Sequence, residues 1–279
     1  MTSLRDKTLF VTGASRGIGL AIALRAARDG ARIVVAAKTD SPHPSLPGTI
    51  HTAARAIEEA GGAALPLVLD VRDDAAVEAA VAQAAAHFGS IDVVVNNASA
   101  ISLTGTRDTP MKRFDLMLAV NLRGTFAVTR ACLPHLAKAA NPHVLVLSPP
   151  PSLDPRWYGP HVAYTISKMA MSQCVLGWAE EFRPLGIGVN ALWPRTVIDT
   201  AALAMLGGVV KPSQCRHPAI VADAAHAILT RPARQCTGTF FLDEAVLREE
   251  GVTDFMPYAC QPGGRLATDL FLSEPGDEE

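Results

Sequence analysis

Seven short apolar runs, each followed by a longer alanine-rich or polar stretch, constrain this chain more than any other feature. The runs are Thr8–Thr12, Ile33–Ala37, Leu65–Asp70, Val93–Asn96, Val144–Ser148, Val189–Leu192 and Thr239–Leu242. Helical periodicity falls between them, near Ile18–Asp29, Thr52–Ala60, Ala75–Phe88, Arg113–Lys138, Ala163–Phe182 and Ala219–Leu229. A strand that is apolar along its whole length is buried on both faces, so the alternation predicts a parallel sheet between two helical layers. Right-handed crossovers then give a doubly wound α/β fold of about seven strands with helices on both faces. Ligands of such sheets bind beyond the carboxyl ends of the strands. At 279 residues, with no interdomain linker, the chain is expected to form one domain over 1–279. An apolar segment from Thr200 to Gly208 predicts a substrate lid near 200–218. A C-terminal extension without clear periodicity begins at about residue 245.

The first run leads into Thr12-Gly-Ala-Ser-Arg-Gly-Ile-Gly19 and then a helix, the strand–loop–helix context of Rossmann-like dinucleotide binding. Gly13 permits the tight turn, Gly17 a close approach to a pyrophosphate, and Gly19 close packing of helix on sheet. The helix N-terminus offers free N–H groups and positive dipole to the phosphates. A carboxylate at the end of the second strand would bind the ribose hydroxyls of NAD. Here that position is Ala37, followed by Lys38, with Arg16 inside the glycine loop, so NADP is expected over NAD although Asp40 lies nearby. The Pro-rich loop Ser41–Gly48 lies at the expected adenosine end, as a stiff connection or as part of the site. At the next strand ends, Asp70 is placed to bond the adenine amino group, and Asn96 or Asn97 to brace the loop beneath the cofactor.

Tyr164 and Lys168 stand one helical turn apart and face one side of their helix. Lowering a phenol from a pKa of about 10 to ~7 takes roughly 4 kcal/mol, part of which an adjacent ammonium supplies. Such a phenol can give a proton to a carbonyl oxygen or take one from an alcohol, while a nicotinamide carries the hydride.

Together, Thr12-Gly-Ala-Ser-Arg-Gly-Ile-Gly19, Asn96-Asn-Ala-Ser99, Asn121-Leu-Arg-Gly124 and Tyr164-Thr-Ile-Ser-Lys168 resemble the short-chain dehydrogenase/reductase family over about residues 5–245. The resemblance implies that Asn121 kinks the fourth helix and holds a water relaying protons to Lys168, which itself bonds the nicotinamide ribose. It implies a cofactor-contact set of Gly13, Ser15, Arg16, Gly17, Ile18, Gly19, Lys38, Asp70, Val71, Asn97, Ala98, Tyr164, Lys168, Pro194 and Thr196. It further implies a homodimer or homotetramer through the fourth and fifth helices, to which the apolar stretch Met169–Trp178 adds support.

Two positions depart from the family pattern. The family sets a serine after the fifth strand to bond the substrate oxygen. This chain reads Leu147-Ser-Pro-Pro-Pro-Ser152, with proline in place of the second serine, leaving Ser148 as candidate and Ser152 as alternative. The usual Pro-Gly after the sixth strand is Pro194-Arg195, which offers a cation to a pyrophosphate or an anionic substrate.

A net charge of −2 gives no electrostatic reason to expect nucleic acid, and no apolar run stands out as a membrane span. Five scattered cysteines without a Cys-x-x-Cys pair read as reduced packing residues, and the eight histidines show no metal-ligand spacing. A cytoplasmic protein is expected. The sequence thus points to an NADP-dependent oxidoreductase of a small apolar carbonyl or alcohol, with Trp157, Tyr158 and Trp193 near the substrate. The alternative is a cofactor-binding sensor or structural protein of low turnover on the same fold.

Overall fold

The computed structural model describes residues 3–44, 46–204 and 210–273. Seven strands, β1 (Thr8–Thr12), β2 (Arg32–Ala37), β3 (Ala63–Val68), β4 (Val93–Asn96), β5 (His143–Val146), β6 (Gly188–Trp193) and β7 (Phe240–Leu242), form one sheet. All pair in parallel, in the order β3-β2-β1-β4-β5-β6-β7. Each expected run is a strand, and the double winding is as the alternation predicts. The order reverses between β1 and β4, where Leu9 stands level with Ile33 on one side and Val93 on the other. That reversal opens a crevice at the strand ends.

The helices are α1 (Gly17–Ala27), α2 (Ile50–Glu59), α3 (Asp74–Phe88), α4 (Met111–Met117), α5 (Thr125–Leu136), α6 (Pro155–Tyr158), α7 (Val162–Glu181), α8 (Ala201–Ala204), α9 (Ala219–Thr230) and α10 (Asp243–Glu249). Period-two alternation along each strand feeds two separate cores. Leu9, Val11, Ile33, Val35 and Val95 face Ile22, Ala26, Ile220 and Ala224. Phe10, Val34, Val94 and Val146 face Val128, Cys132, Met171 and Val175. Both sets are buried, which is why the strands read as unbroken apolar runs. Local chemistry fixes the helix ends. Asp73 accepts from Ala76 N at 3.0 Å to start α3, and Gly89, at φ 81°, ends it in the left-handed region that glycine adopts without strain.

The single helix expected over Arg113–Lys138 is instead α4 and α5 joined by a π turn, Leu118–Gly124. The wider turn leaves room for Gly124 against Val71, whose Cγ2 would lie 2.6 Å from an added Cβ. Met111–Leu136 taken together is long and apolar enough to cross a membrane by length and composition alone. It is instead partly buried along the sheet, through Val128, Cys132 and Leu136.

The C-terminal extension is more ordered than its composition suggests. After α10 and a 3-10 turn at Met256–Tyr258 the chain runs back across the strand ends. Cys260 N bonds Cys215 O, Ala267 N bonds Gln214 O, Val197 N bonds Ala267 O and Asp269 N bonds Arg195 O. Positions 205–209 of the expected lid lie outside the described residues.

Candidate active site

The glycine loop is held by side chains from β1 and from the end of β4. Thr12 Oγ1 donates to Val95 O at 3.2 Å and accepts from Asn97 N and Ala98 N, each at 3.0 Å. Asn97 Nδ2 donates to Thr12 O at 2.9 Å and Gly13 O at 3.2 Å. Asn97 is therefore the brace, whereas Asn96 turns away to Thr129 Oγ1 at 2.9 Å. Gly13 and Gly17 take φ of 67° and 58°, and a Cβ on Gly19 would meet Asn97 Nδ2 at 2.5 Å and Gly13 O at 2.8 Å. Each glycine is thus required by conformation or by close approach. No side chain caps α1, so its first N–H groups stay open in the crevice. These features fit a dinucleotide pyrophosphate.

Arg16 lies at the mouth of this crevice but is tethered. Its Nε donates to Pro47 O at 2.7 Å and its Nη2 to Gly48 O at 2.8 Å, which clamps the Pro-rich loop onto the glycine loop. A guanidinium carries five donors, so the tether leaves donors for a ligand. Lys38 pairs with Asp70 at 3.2 Å. Asp70 also takes Arg72, at 2.9 Å and 3.0 Å from Nε. The carboxylate expected for adenine is therefore already bonded, and the Arg72 hydrogen bonds, reinforced by Lys38, hold its carboxyl well below the usual range. Ser15 and Val71 are buried beside the loops, and Ile18 packs partly buried on the core.

The catalytic candidates gather where β5 and β6 end. Lys168, only 3% exposed, donates to Leu147 O at 2.9 Å. That bond sets the face of α7 carrying Tyr164 and Lys168 beside Ser148, whose Oγ is fully buried and has no partner. The two serines separate clearly. Ser152 accepts from Asp154 N at 3.1 Å and gives its carbonyl to the Tyr158 hydroxyl at 2.9 Å, as a turn residue does. Asn121 sits in the π turn, its Oδ1 accepting from Ala100 N at 2.7 Å. Its Nδ2 donates to Ala100 O and to Ser167 Oγ, each at 2.9 Å. The helix distortion expected at Asn121 is thus present and tied to the loop after β4. Thr196 Oγ1 is a second buried hydroxyl without partner, on the segment after Pro194. The Arg195 backbone is gripped from both sides, its N by Asp243 Oδ1 at 2.8 Å and its carbonyl by Asp269 N at 3.2 Å.

Trp157, Trp193 and Tyr158 lie in one apolar cluster with Tyr164. No sequence pattern marks the residue at its centre, Phe271. Its ring stacks on Tyr164 at 6.1 Å and meets Trp193 at 5.8 Å and Trp157 at 6.2 Å. Burial, followed by the negative charge of Asp269, pushes the Tyr164 phenol up rather than down. Burial brings the Lys168 ammonium down to about 8, against a smaller pull upward by Asp269. Without a cofactor the phenol is therefore held protonated.

Sequence and structural comparisons agree with this geometry. The family described as short chain dehydrogenase matches residues 7–207, and the chain belongs to that family. It is an oxidoreductase of the short-chain dehydrogenase class. It is 59% identical over 271 residues to hydroxysteroid dehydrogenase-like protein 2 of Danio rerio, covering 97% of this chain and 65% of that protein. With the Homo sapiens protein of the same name it is 57% identical over 267 residues, 96% of this chain and 63% of the other. The chain thus spans less than two thirds of the length of these curated relatives. A crystal structure from Xanthomonas campestris superposes with a TM-score of 0.95 at 58% identity, covering 98% of this chain and all of that one. A short chain dehydrogenase of Mycobacterium thermoresistibile gives 0.92 at 51%, covering 98% and 99% of the two chains.

Proposed function

We propose that the chain is an NADP-dependent dehydrogenase/reductase that interconverts an apolar carbonyl and its alcohol, with Tyr164 as general acid and base. The observation that carries the reading is the Lys168–Leu147 bond, which seats the Tyr164 helix face beside the unpartnered hydroxyl of Ser148. A bound nicotinamide dinucleotide supplies or accepts the hydride at the substrate carbon. In reduction the Tyr164 O–H gives its proton to the substrate oxygen while Ser148 donates a hydrogen bond to that oxygen. The Lys168 ammonium stabilises the phenolate left behind. Asn121 fixes the loop after β4 against α7. Gly13, Gly17 and the open end of α1 would hold the pyrophosphate, with Thr196 and Pro194 beside the nicotinamide.

NADP is favoured because the end of β2 presents Ala37 and Lys38 rather than a carboxylate, with Arg16 clamped alongside. A 2′-phosphate would meet the Lys38 and Arg16 cations there. A more distant neighbour, 22% identical, is a Mycobacterium paratuberculosis short chain dehydrogenase bound to NAD, which makes the cofactor choice worth direct measurement. The Trp157, Trp193 and Phe271 cluster suits an apolar substrate. Phe126, Ile166 and Leu176 leave α5 and α7 with exposed apolar side chains, which supports a homo-oligomer through those helices.

The test is a panel of aldehydes, ketones and alcohols with NADPH or NADP, and with NADH or NAD in parallel. Turnover is expected with the phosphorylated cofactor, and Tyr164→Phe should lower kcat about a thousandfold while leaving cofactor affinity intact. Tight NADPH binding with no turnover across the panel would instead assign the chain to the sensor reading.

A further inference from the structure

Three short stretches lie side by side beyond the crevice: one after β6, one ahead of α9 and one after the 3-10 turn at Met256–Tyr258. Ile198 bridges Arg216 in parallel, and Arg216 bridges Ala259 antiparallel. Two bonds flank the second bridge, His217 N to Tyr258 O at 2.7 Å and Cys260 N to Cys215 O at 3.0 Å. That register sets Cys215 directly across from Cys260. Hydrogen-bonded residues so opposed stand about 5.5 Å apart at Cα, and their side chains leave the same face. A disulfide asks for Cα atoms about 4.4–6.8 Å apart, so the backbone already meets its main requirement. The two thiols differ in access. Cys215 is fully buried and its Sγ donates to Lys211 O at 3.3 Å, while Cys260 is half-buried. Cys260 Sγ lies 3.5 Å from Nδ1 of His217, its diagonal neighbour on that face.

We propose that Cys215 and Cys260 form a redox-convertible pair, in which Cys260 reduces a hydroperoxide and Cys215 then closes a disulfide that pins the C-terminal segment to the approach of α9. Burial and the charge of Asp199 hold the Cys260 thiol above its ordinary value, and His217 is the base within reach of its proton. The Cys260 thiolate attacks a peroxide oxygen, the O–O bond breaks, and water or an alcohol leaves as the sulfur becomes a sulfenic acid. Burial, then the Asp199 charge, pushes Cys215 up to about 11, so it stays a thiol until that acid forms beside it. Its sulfur then attacks the Cys260 sulfur, the S–OH bond breaks, and the hydroxide leaves with the Cys215 proton as water. Two thiols lose two electrons in all, and one hydroperoxide gains them. The bond gives up only the weak contacts to Lys211 and His217. The other cysteines are placed differently: Cys132 is fully buried on α5, Cys174 lies on α7, and Cys236 takes Asn190 Nδ2 at 3.6 Å. The pinned segment continues through Ala267, which bonds Gln214 O, to Phe271 on Tyr164. The disulfide thus adds a covalent anchor behind the segment that covers the catalytic end.

The test treats the whole, reduced protein with hydrogen peroxide, alkylates the remaining thiols and maps its peptides without reductant. A single cross-link from Cys215 to Cys260 is expected, with free thiols falling by two from five, and dithiothreitol should restore both. Cys215→Ser should strand the reaction at a Cys260 sulfenic acid that dimedone captures, whereas Cys260→Ser should leave Cys215 unlabelled. Should either variant fail to fold, the wild-type map decides alone. Linkage should also slow amide hydrogen exchange across positions 258–268 by about tenfold, and reduction should reverse it. Over-oxidised Cys260 beside a free Cys215, a cross-link to Cys174 in place of the pair, dimedone on Cys215 in Cys260→Ser, or an exchange rate that linkage leaves unchanged overturns the proposal.

Discussion

Asp70 and Asp269 sit on opposite sides of the strand-end crevice and meet opposite surroundings. Asp70 is reached by solvent and bonded by Arg72 and Lys38, so its charge is welcomed and its carboxyl held low. Asp269 is half-buried, no cation lies within ion-pair distance of it among the described residues, and desolvation brings its carboxyl up to about 7. The contrast extends to the two ends themselves. The β1–β4 end is built largely from backbone and small side chains, and its charged groups are hydrogen-bonded: Arg16 to Pro47 O and Gly48 O, Lys38 and Arg72 to Asp70. The β5–β6 end keeps the buried hydroxyls Ser148 Oγ and Thr196 Oγ1 without a partner, and gives the buried Lys168 ammonium only the carbonyl of Leu147. Groups kept at a cost in stability mark chemistry, and well-satisfied groups mark a cradle.

The contrast predicts that the two ends fail differently. Ser148→Ala should lower kcat by about a hundredfold with little change in cofactor affinity, since it removes a donor to the developing oxyanion. Ser152→Ala, a turn residue, should stay near wild type. Equal losses from both would erase the distinction drawn between them. Gly19→Ala is the mirror case. Its Cβ would lie 2.8 Å from Gly13 O, so the loop must move, and NADPH affinity should fall by at least tenfold in a dinucleotide titration. An unchanged affinity would show that the loop does not cradle the cofactor.

The β1–β4 end was also the more legible in sequence. Its parts are contiguous: Thr12 to Gly19 are neighbours along the chain, and seven alternating runs predict the parallel, doubly wound sheet around them. Even so, spacing left Asn96 and Asn97 undecided, because only the register of β4 decides which one turns toward Thr12. The catalytic end was half legible. Tyr164 and Lys168 share a helix face and could be read by periodicity. Ser148 and Ser152 could not be ranked, because partner-free burial is a property of packing. Phe271 gave no signal at all, since it reaches Tyr164 from about a hundred residues away through an antiparallel bridge that has no period of its own. The π turn at Asn121 was likewise invisible to a pattern of apolar spacing.

A smaller effect tests whether the charges at the β1–β4 end serve a ligand as well as each other. Lys38→Ala should weaken NADPH about tenfold while NADH changes little, because it removes one of two cations offered to a 2′-phosphate. Equal losses for both cofactors would mean that Lys38 acts only through Asp70.

The smallest expected effect has the most informative sign. Asp70 has a folded pKa below its unfolded value of about 3.9, so its contribution is present above that pH and fades as acid is added. Its partner Lys38 is 61% exposed, and solvent screens the pair, so Asp70→Asn should cost about 1 kcal/mol or less at neutral pH. That difference from wild type should shrink below about pH 4 and in molar salt. Asp269 is shifted the other way. Its folded pKa of about 7 exceeds the unfolded value, so ionising it opposes folding as pH rises through roughly 4 to 7. Asp269→Asn should therefore gain stability relative to wild type as pH rises through that window, where the deficit of Asp70→Asn stays constant. Urea unfolding of Asp269→Asn from about pH 4 to 7 and of Asp70→Asn from about pH 2 to 4 reads the two effects directly, and a difference from wild type of the same sign in both would mean that the two carboxylates do not differ in the way their surroundings require.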